Sequence, residues 1–181
     1  MRAVVFGLAA LIFGLPPAAS AATHPYFPNT VLIDQNGAPH RFYDDLLRGK
    51  TVVITSFFSS CTGTCPIMNA TFGKIQSNLG SRLGKDVYLL SITVDPENDT
   101  PARLKEYARR VGARPGWFFL TGSKKDVDEV LAKLGYSVSA REQHKNIFLL
   151  GNESTGVWKK LFGLAGADEI IPIVNGVIRD P

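Results

Sequence analysis

The stretch SFFSSCTGTCPIMNATF, residues 56–72, runs from the end of an apolar segment into a proline placed to open a helix, and it carries both cysteines of the chain, Cys61 and Cys65. Thr51 to Phe58 is a continuous apolar run and reads as a buried strand. Pro66 suits a first helical position, where its missing N–H costs nothing. Proline also disfavours the α region for the residue before it, which puts Cys65 at the helix cap. Met68, Phe72, Ile75 and Leu79 then recur at helical spacing, with an end expected near Gly80 or Gly84. The stretch is therefore a strand, a loop and a helix, with a dithiol in the loop. Such a loop aims both sulfurs at one point, and the positive end of the helix dipole favours thiolate there. Open α/β sheets place their ligand sites beyond the carboxyl ends of the strands, which is where this loop falls.

The same alternation continues outward. Residues 87–94 (VYLLSITV) read as a second buried strand, and Leu104, Tyr107, Ala108 and Val111 form a helical stripe opened by Asp99-Thr100-Pro101 and closed by Gly112. Trp117 to Leu120 is a third strand, and Ser123 with Asp126 makes a capping-box start for Val127, Val130, Leu131 and Leu134. Asn146 to Leu150 and Val157 to Phe162 flank GNESTG and read as an antiparallel hairpin. ADEIIPIVNGVI, residues 167–178, reads as a helix despite Pro172. Ahead of the dithiol unit, a strand at TVLI is followed by a turn at Gln35-Asn36-Gly37. Together these elements make one α/β domain of parallel strands with a hairpin at one edge.

With 181 residues, 45% hydrophobic and 20% charged, the chain has enough apolar surface for one core and too much for disorder. Its net charge of +4 is spread along the chain, which reads as a solvated basic surface and does not indicate a nucleic-acid partner. Arg2, the apolar run AVVFGLAALIFG and the small-x-small site Ala19-Ser20-Ala21 make residues 1–21 a secretory signal, leaving 22–181 as the mature domain. Pro16 and Pro17 stop the run short of the roughly 20 apolar residues that span a bilayer, so cleavage is favoured over anchoring. The expected location is the periplasm, where disulfides are permitted.

Three chemistries suit the thiols. A structural disulfide across so short a loop contributes only about 2 kcal/mol to a domain that already has a core. A thiol-disulfide redox pair usually has two intervening residues, whereas Thr62, Gly63 and Thr64 make three. As a metal site, the pair is too small for structural zinc but suits copper(I), and an added imidazole would suit copper(II). Of the three histidines, His40 lies in the polar segment APHRF and reads as a solvated loop residue, and His24 sits near the start of the mature chain. His144 immediately precedes a buried strand, in a loop able to approach the dithiol. Asp99 or Thr100 is expected to cap the following helix, Met68 to be a core residue, and Thr62 to have no special role.

The segments FFSSCTGTCPIMNATF, SITVDPENDTPARLKEYARRVG and HKNIFLLGNESTGVW resemble the Sco/SenC family, through a CxxxCP motif at Cys61, Cys65 and Pro66, a VDPxxDTP motif at Val94 to Pro101, and a histidine at His144. The resemblance implies a thioredoxin-like fold, a central mixed sheet flanked by helices, with an N-terminal strand extension and a C-terminal hairpin. It implies a copper chaperone, more a metallochaperone than an enzyme, that holds copper(I) or copper(II) on Cys61, Cys65 and His144. The implied recipient is the binuclear copper centre of cytochrome c oxidase. A periplasmic thiol reductant or a second copper chaperone would be further partners. Two alternatives use the same thiols: a thiol-disulfide oxidoreductase acting through the Cys61 and Cys65 redox pair on copper-ligand cysteines, and a copper or redox sensor. If cleavage follows Ala21, the new terminus Ala22-Thr23-His24 offers an imidazole, an amine and two amides, a second copper(II) site at His24.

Overall fold

A five-stranded mixed sheet forms the centre of the molecule, and every residue of its middle strand is buried. The computed structural model describes residues 26–136 and 145–179. In chain order the strands are β1 (Val31–Ile33), β2 (Pro39–Arg41), β3 (Thr51–Phe57), β4 (Val87–Thr93), β5 (Trp117–Leu120), β6 (Ile147–Asn152) and β7 (Val157–Phe162). The helices are α1 (Cys65–Leu79), α2 (Pro101–Arg110), α3 (Lys124–Leu134) and α4 (Ala167–Arg179). A single π-type turn, Phe42–Leu47, leads into β3. The sheet order is β5-β4-β3-β6-β7: β3, β4 and β5 run parallel, and β6 and β7 form the antiparallel edge hairpin. β1 and β2 make a separate small hairpin around the expected turn.

Period-two alternation along β3 divides the core. Val53 and Phe57 pack with the buried faces of α1, α2 and α4, whereas Val52 and Ile54 pack with Phe42, Leu46 and Leu47 and with the apolar face of α3. The stripe Met68, Phe72, Ile75 and Leu79 is buried throughout, as its spacing requires. Ser123 caps α3 by accepting from the Asp126 backbone N–H, and Thr100 caps α2 by accepting from that of Arg103.

Local rules and structure part company at several positions. Pro172 lies inside α4, where it removes one backbone hydrogen bond; burial of Ile170, Val174 and Val177 on that helix offsets the loss. β6 runs on to Asn152 and takes in Gly151, which the sequence assigned to the turn. The Trp158 ring lies across that position, 2.2 Å from where a Cβ would be, so only glycine lets the indole cover the strand. His40 is on β2 and half-buried, not in a solvated loop, with Nε2 3.2 Å from Asp34 Oδ2 and its ring 5.2 Å from that of Phe118.

Two glycines meet backbone to backbone where the turn before β4 touches the turn before β5. A Cβ on Gly116 would sit 2.4 Å from the Gly84 nitrogen, and Gly116 also holds φ +98. Neither atom belongs to a side chain that could move away. Gly116→Ala is therefore expected to destabilise the fold by about 2–3 kcal/mol in a denaturant titration, combining left-handed strain with overpacking. Wild-type stability in that variant would show that the two turns separate freely.

Candidate metal centre

β3 ends at Phe57, and the chain turns at once, with the Cys61 N–H donating to the Phe58 carbonyl at 3.1 Å. This turn delivers Cys61 to the carboxyl end of the sheet, half-buried and touching both halves of the core. Thr64, not Cys65, is the helix cap. Its carbonyl accepts the first helical hydrogen bond, from Met68 at 3.1 Å, which brings Cys65 into the helix ahead of its proline. Cys65 is 2% exposed, neither cysteine is in a disulfide, and the Cys61 side chain is close enough to act on the Cys65 thiol.

This geometry reverses the expectation that the helix terminus would favour thiolate at Cys65. Burial first, and the neighbouring Cys61 second, push the Cys65 thiol up to about 12. The folded chain thus favours the neutral thiol. That contribution to stability is present below about 9, the ordinary thiol value, and is lost as the pH rises through the folded value. The nearby Tyr107 hydroxyl is also raised to about 12, mainly by burial, against the effect of the Asn69 amide that donates to it at 2.6 Å.

Asp99 fixes the loop from the other side. It is 1% exposed, and of the two residues expected to cap the following helix it is Thr100 that does so. Its carboxyl oxygens accept from the Ser59 N–H at 3.0 Å, from the Ser59 hydroxyl and from the Thr93 hydroxyl at 2.5 Å. Its own N–H donates to the Asp95 carbonyl at 2.9 Å, and the Asp95 N–H donates to Thr93 Oγ1. The turn after β4 therefore holds the segment two residues before Cys61. Arg110 adds to this by donating to the Ser59 carbonyl at 3.4 Å while stacking on Tyr107, 4.8 Å from the ring centroid. A cleft of about 750 Å³ lies beside Cys61, bordered by Pro66, Asn69, Tyr107 and Arg110.

Among the described residues no third His, Cys, Asp or Glu joins the two thiols. Met68 remains in the core, as expected, with its methyl end against Gly163, and Thr62 is exposed. His144 and His24 lie outside the described residues. Asn146, two residues beyond His144 in the chain, accepts a hydrogen bond from the Thr64 hydroxyl at 2.7 Å and so ties the start of β6 to the start of α1. The Asp99 to Ser59 link and the Arg110–Tyr107 stack were not legible in sequence. The one available signal for the first is an aspartate just beyond a strand, at the end of the sheet that carries the thiols.

A mixed sheet flanked by helices, with a dithiol where the central strand feeds α1, defines a thioredoxin-like protein. Its family can be stated too. The SCO1/SenC profile matches residues 19–178, and the chain belongs to that family. A SCO1 protein homolog of Bacillus subtilis is 29% identical over 138 residues, covering 75% of this chain and 67% of that protein. The match spans 47% to 51% of the length of several other curated relatives. Yeast Sco1, crystallised with copper bound, superposes with a TM-score of 0.70 at 25% identity, covering 88% of this chain and 96% of that one. BsSco is described as a member of the Sco family of cytochrome c oxidase assembly proteins with a disulfide switch. It superposes with a TM-score of 0.70 at 27% identity, covering 87% and 96%.

Proposed function

We propose that this chain is a periplasmic copper chaperone that holds one copper ion on Cys61, Cys65 and His144 and hands it to a respiratory copper protein, the binuclear copper centre of cytochrome c oxidase being the recipient that fits best. The observation that carries the reading is the pair of neighbouring, unbridged thiols at the carboxyl end of the sheet, one buried and one half-exposed. Copper-bound yeast Sco1, of the same fold, supports it. His144 is included because it stands where the Sco/SenC resemblance puts a ligand histidine, just ahead of β6.

The asymmetry of the thiols sets the order of events. Copper arrives at Cys61, which is open to the cleft, and binding expels the thiol protons. Release reverses the order, because a recipient's ligand reaches the metal on the Cys61 side while Cys65 stays enclosed. Exchange with the disulfide of an external thiol oxidant, which takes up the two electrons and two protons and leaves as a dithiol, would bridge Cys61 and Cys65, remove both sulfur ligands and couple loading to redox state.

The deciding experiment titrates copper into the reduced protein and then follows its transfer to a soluble oxidase copper domain. One ion per chain, passed on to the acceptor, is the expected result. Brisk turnover of disulfide substrates without copper transfer would instead favour the oxidoreductase reading. His144→Ala should weaken copper(II) by roughly tenfold or more while changing copper(I) far less, since imidazole matters more to the harder ion. Equal copper(II) affinity in that variant removes His144 from the site.

Export belongs to the same proposal. Among the described residues no helix is long and apolar enough to cross a membrane. Intact-mass measurement of the periplasmic protein should find a chain starting at Ala22, the start that the His24 site requires. Full-length chain in membranes would overturn this part.

A further inference from the structure

A second cavity, of about 430 Å³, opens on the α3 side of the sheet, away from the helix that carries Cys65. It lies between the end of α3, the β6–β7 hairpin and the residues just before β1. Its volume falls within the range of about 300–1,000 Å³ typical of small-molecule sites. The walls are aromatic and aliphatic. Phe27 packs 4.8 Å from the Trp158 ring and edge-on against Tyr26 at 4.9 Å, and Leu134 and Leu149 are buried beneath. Tyr26 is 57% exposed at the rim of the hollow.

The charges at this cavity have one sign. Lys133, in the last turn of α3, and Lys160, on β7, both line it, and among the described residues no carboxyl group does. Neither lysine forms an ion pair with a described residue. The Lys160 ammonium sits over Gly135, 3.1 Å from where a Cβ would be, so the bare glycine leaves room for it. Lys145 adds a third cation nearby by donating to the Gly135 carbonyl at 2.8 Å. An apolar hollow with a cationic rim is complementary to a ligand that is itself divided into an apolar body and an anionic head.

We propose that this cavity binds a small amphipathic anion, a flat apolar body lodged against Phe27, Trp158 and Leu149 with its carboxylate, sulfonate or phosphate head held by Lys133 and Lys160. The site needs neither thiol and is independent of copper. It gives the chain a second ligand of a different chemical class, bound on the opposite face from the dithiol.

The test uses the full mature chain and the probe 1-anilinonaphthalene-8-sulfonate. Trp117 is 1% exposed and packs in the other half of the core, so Trp158 is the tryptophan positioned to report. Saturable binding of one probe per chain, with quenching of tryptophan emission that is smaller in Trp158→Phe, is the expected result. The double variant Lys133→Glu, Lys160→Glu should lower affinity about tenfold, by removing two weak attractions and replacing them with repulsions. The uncharged analogue N-phenyl-1-naphthylamine should bind both proteins alike. Both lysines are exposed, so the variant should keep the wild-type melting temperature, and its copper titration should not change. Absence of saturable binding to the folded chain overturns the proposal. So does probe affinity that is unchanged by the double reversal, or fractional tryptophan quenching in Trp158→Phe equal to that of the wild type.

Discussion

Cys61→Ser and Cys65→Ser each lose tight copper(I) binding, with affinity falling by about a thousandfold, because a hydroxyl is a far poorer ligand for a soft ion than a thiolate. The two variants should differ in stability. Cys61 is half-buried and its serine has access to water, so Cys61→Ser should unfold within about 0.5 kcal/mol of wild type. Cys65 is 2% exposed, and a serine hydroxyl there exchanges a weakly polar group for one that demands a full hydrogen bond, a loss of about 1–2 kcal/mol. Competition with a chromophoric copper(I) chelator measures the first quantity, and denaturant titration of the metal-free proteins the second. Copper retained by either single variant means that the dithiol is not the ligand pair. Acidity gives a further check in the wild type. Burial holds the Cys65 proton in place up to about 12, and copper must expel it, so apparent affinity should rise by about tenfold per pH unit for that proton as the pH increases.

The element pattern was legible because it depends on neighbours in the sequence. The run from Thr51, the stripe from Met68 to Leu79 and the stripe from Leu104 to Ala108 are buried as their spacing demands. What sequence missed depends on residues distant along the chain. Thr64 became the cap because the first helical bond forms at its carbonyl and its hydroxyl is engaged by Asn146, which no local rule anticipates. Cys65 was read from the helix dipole, a term worth at most about 2 kcal/mol, which burial outweighs. Gly151 read as a turn residue until the strand pairing placed Trp158 over it. The same division holds at the site. Both thiols and their place at the strand end were visible in one short motif, whereas the support of their loop by Asp99 required three segments to come together.

That support predicts the behaviour of Asp99 variants. Asp99→Ala strips the acceptor from the Ser59 N–H, the Ser59 hydroxyl and the Thr93 hydroxyl; Thr93 is fully buried, whereas Ser59 is half-buried at the edge of the cleft. Each stranded donor costs on the order of 1–3 kcal/mol, and partial relaxation should leave a total near 4 kcal/mol by denaturant titration. Asp99→Asn keeps the shape. Its amide oxygen can serve the Ser59 N–H and the Thr93 hydroxyl, while the Ser59 hydroxyl rotates to accept from the new amide N–H, so the loss should fall to about 1 kcal/mol. A role confined to stability would leave copper binding unchanged in any variant that still folds. Because the bonds hold the loop two residues before Cys61, copper affinity should instead fall in Asp99→Ala by about tenfold and largely return in Asp99→Asn, tracking how well Ser59 is held. The copper(II)-thiolate absorption band should keep its position in all three proteins, since the ligands are the same and only their alignment differs. Full copper affinity in folded Asp99→Ala would reduce Asp99 to a stabilising residue, and wild-type stability in that variant would remove the anchor altogether.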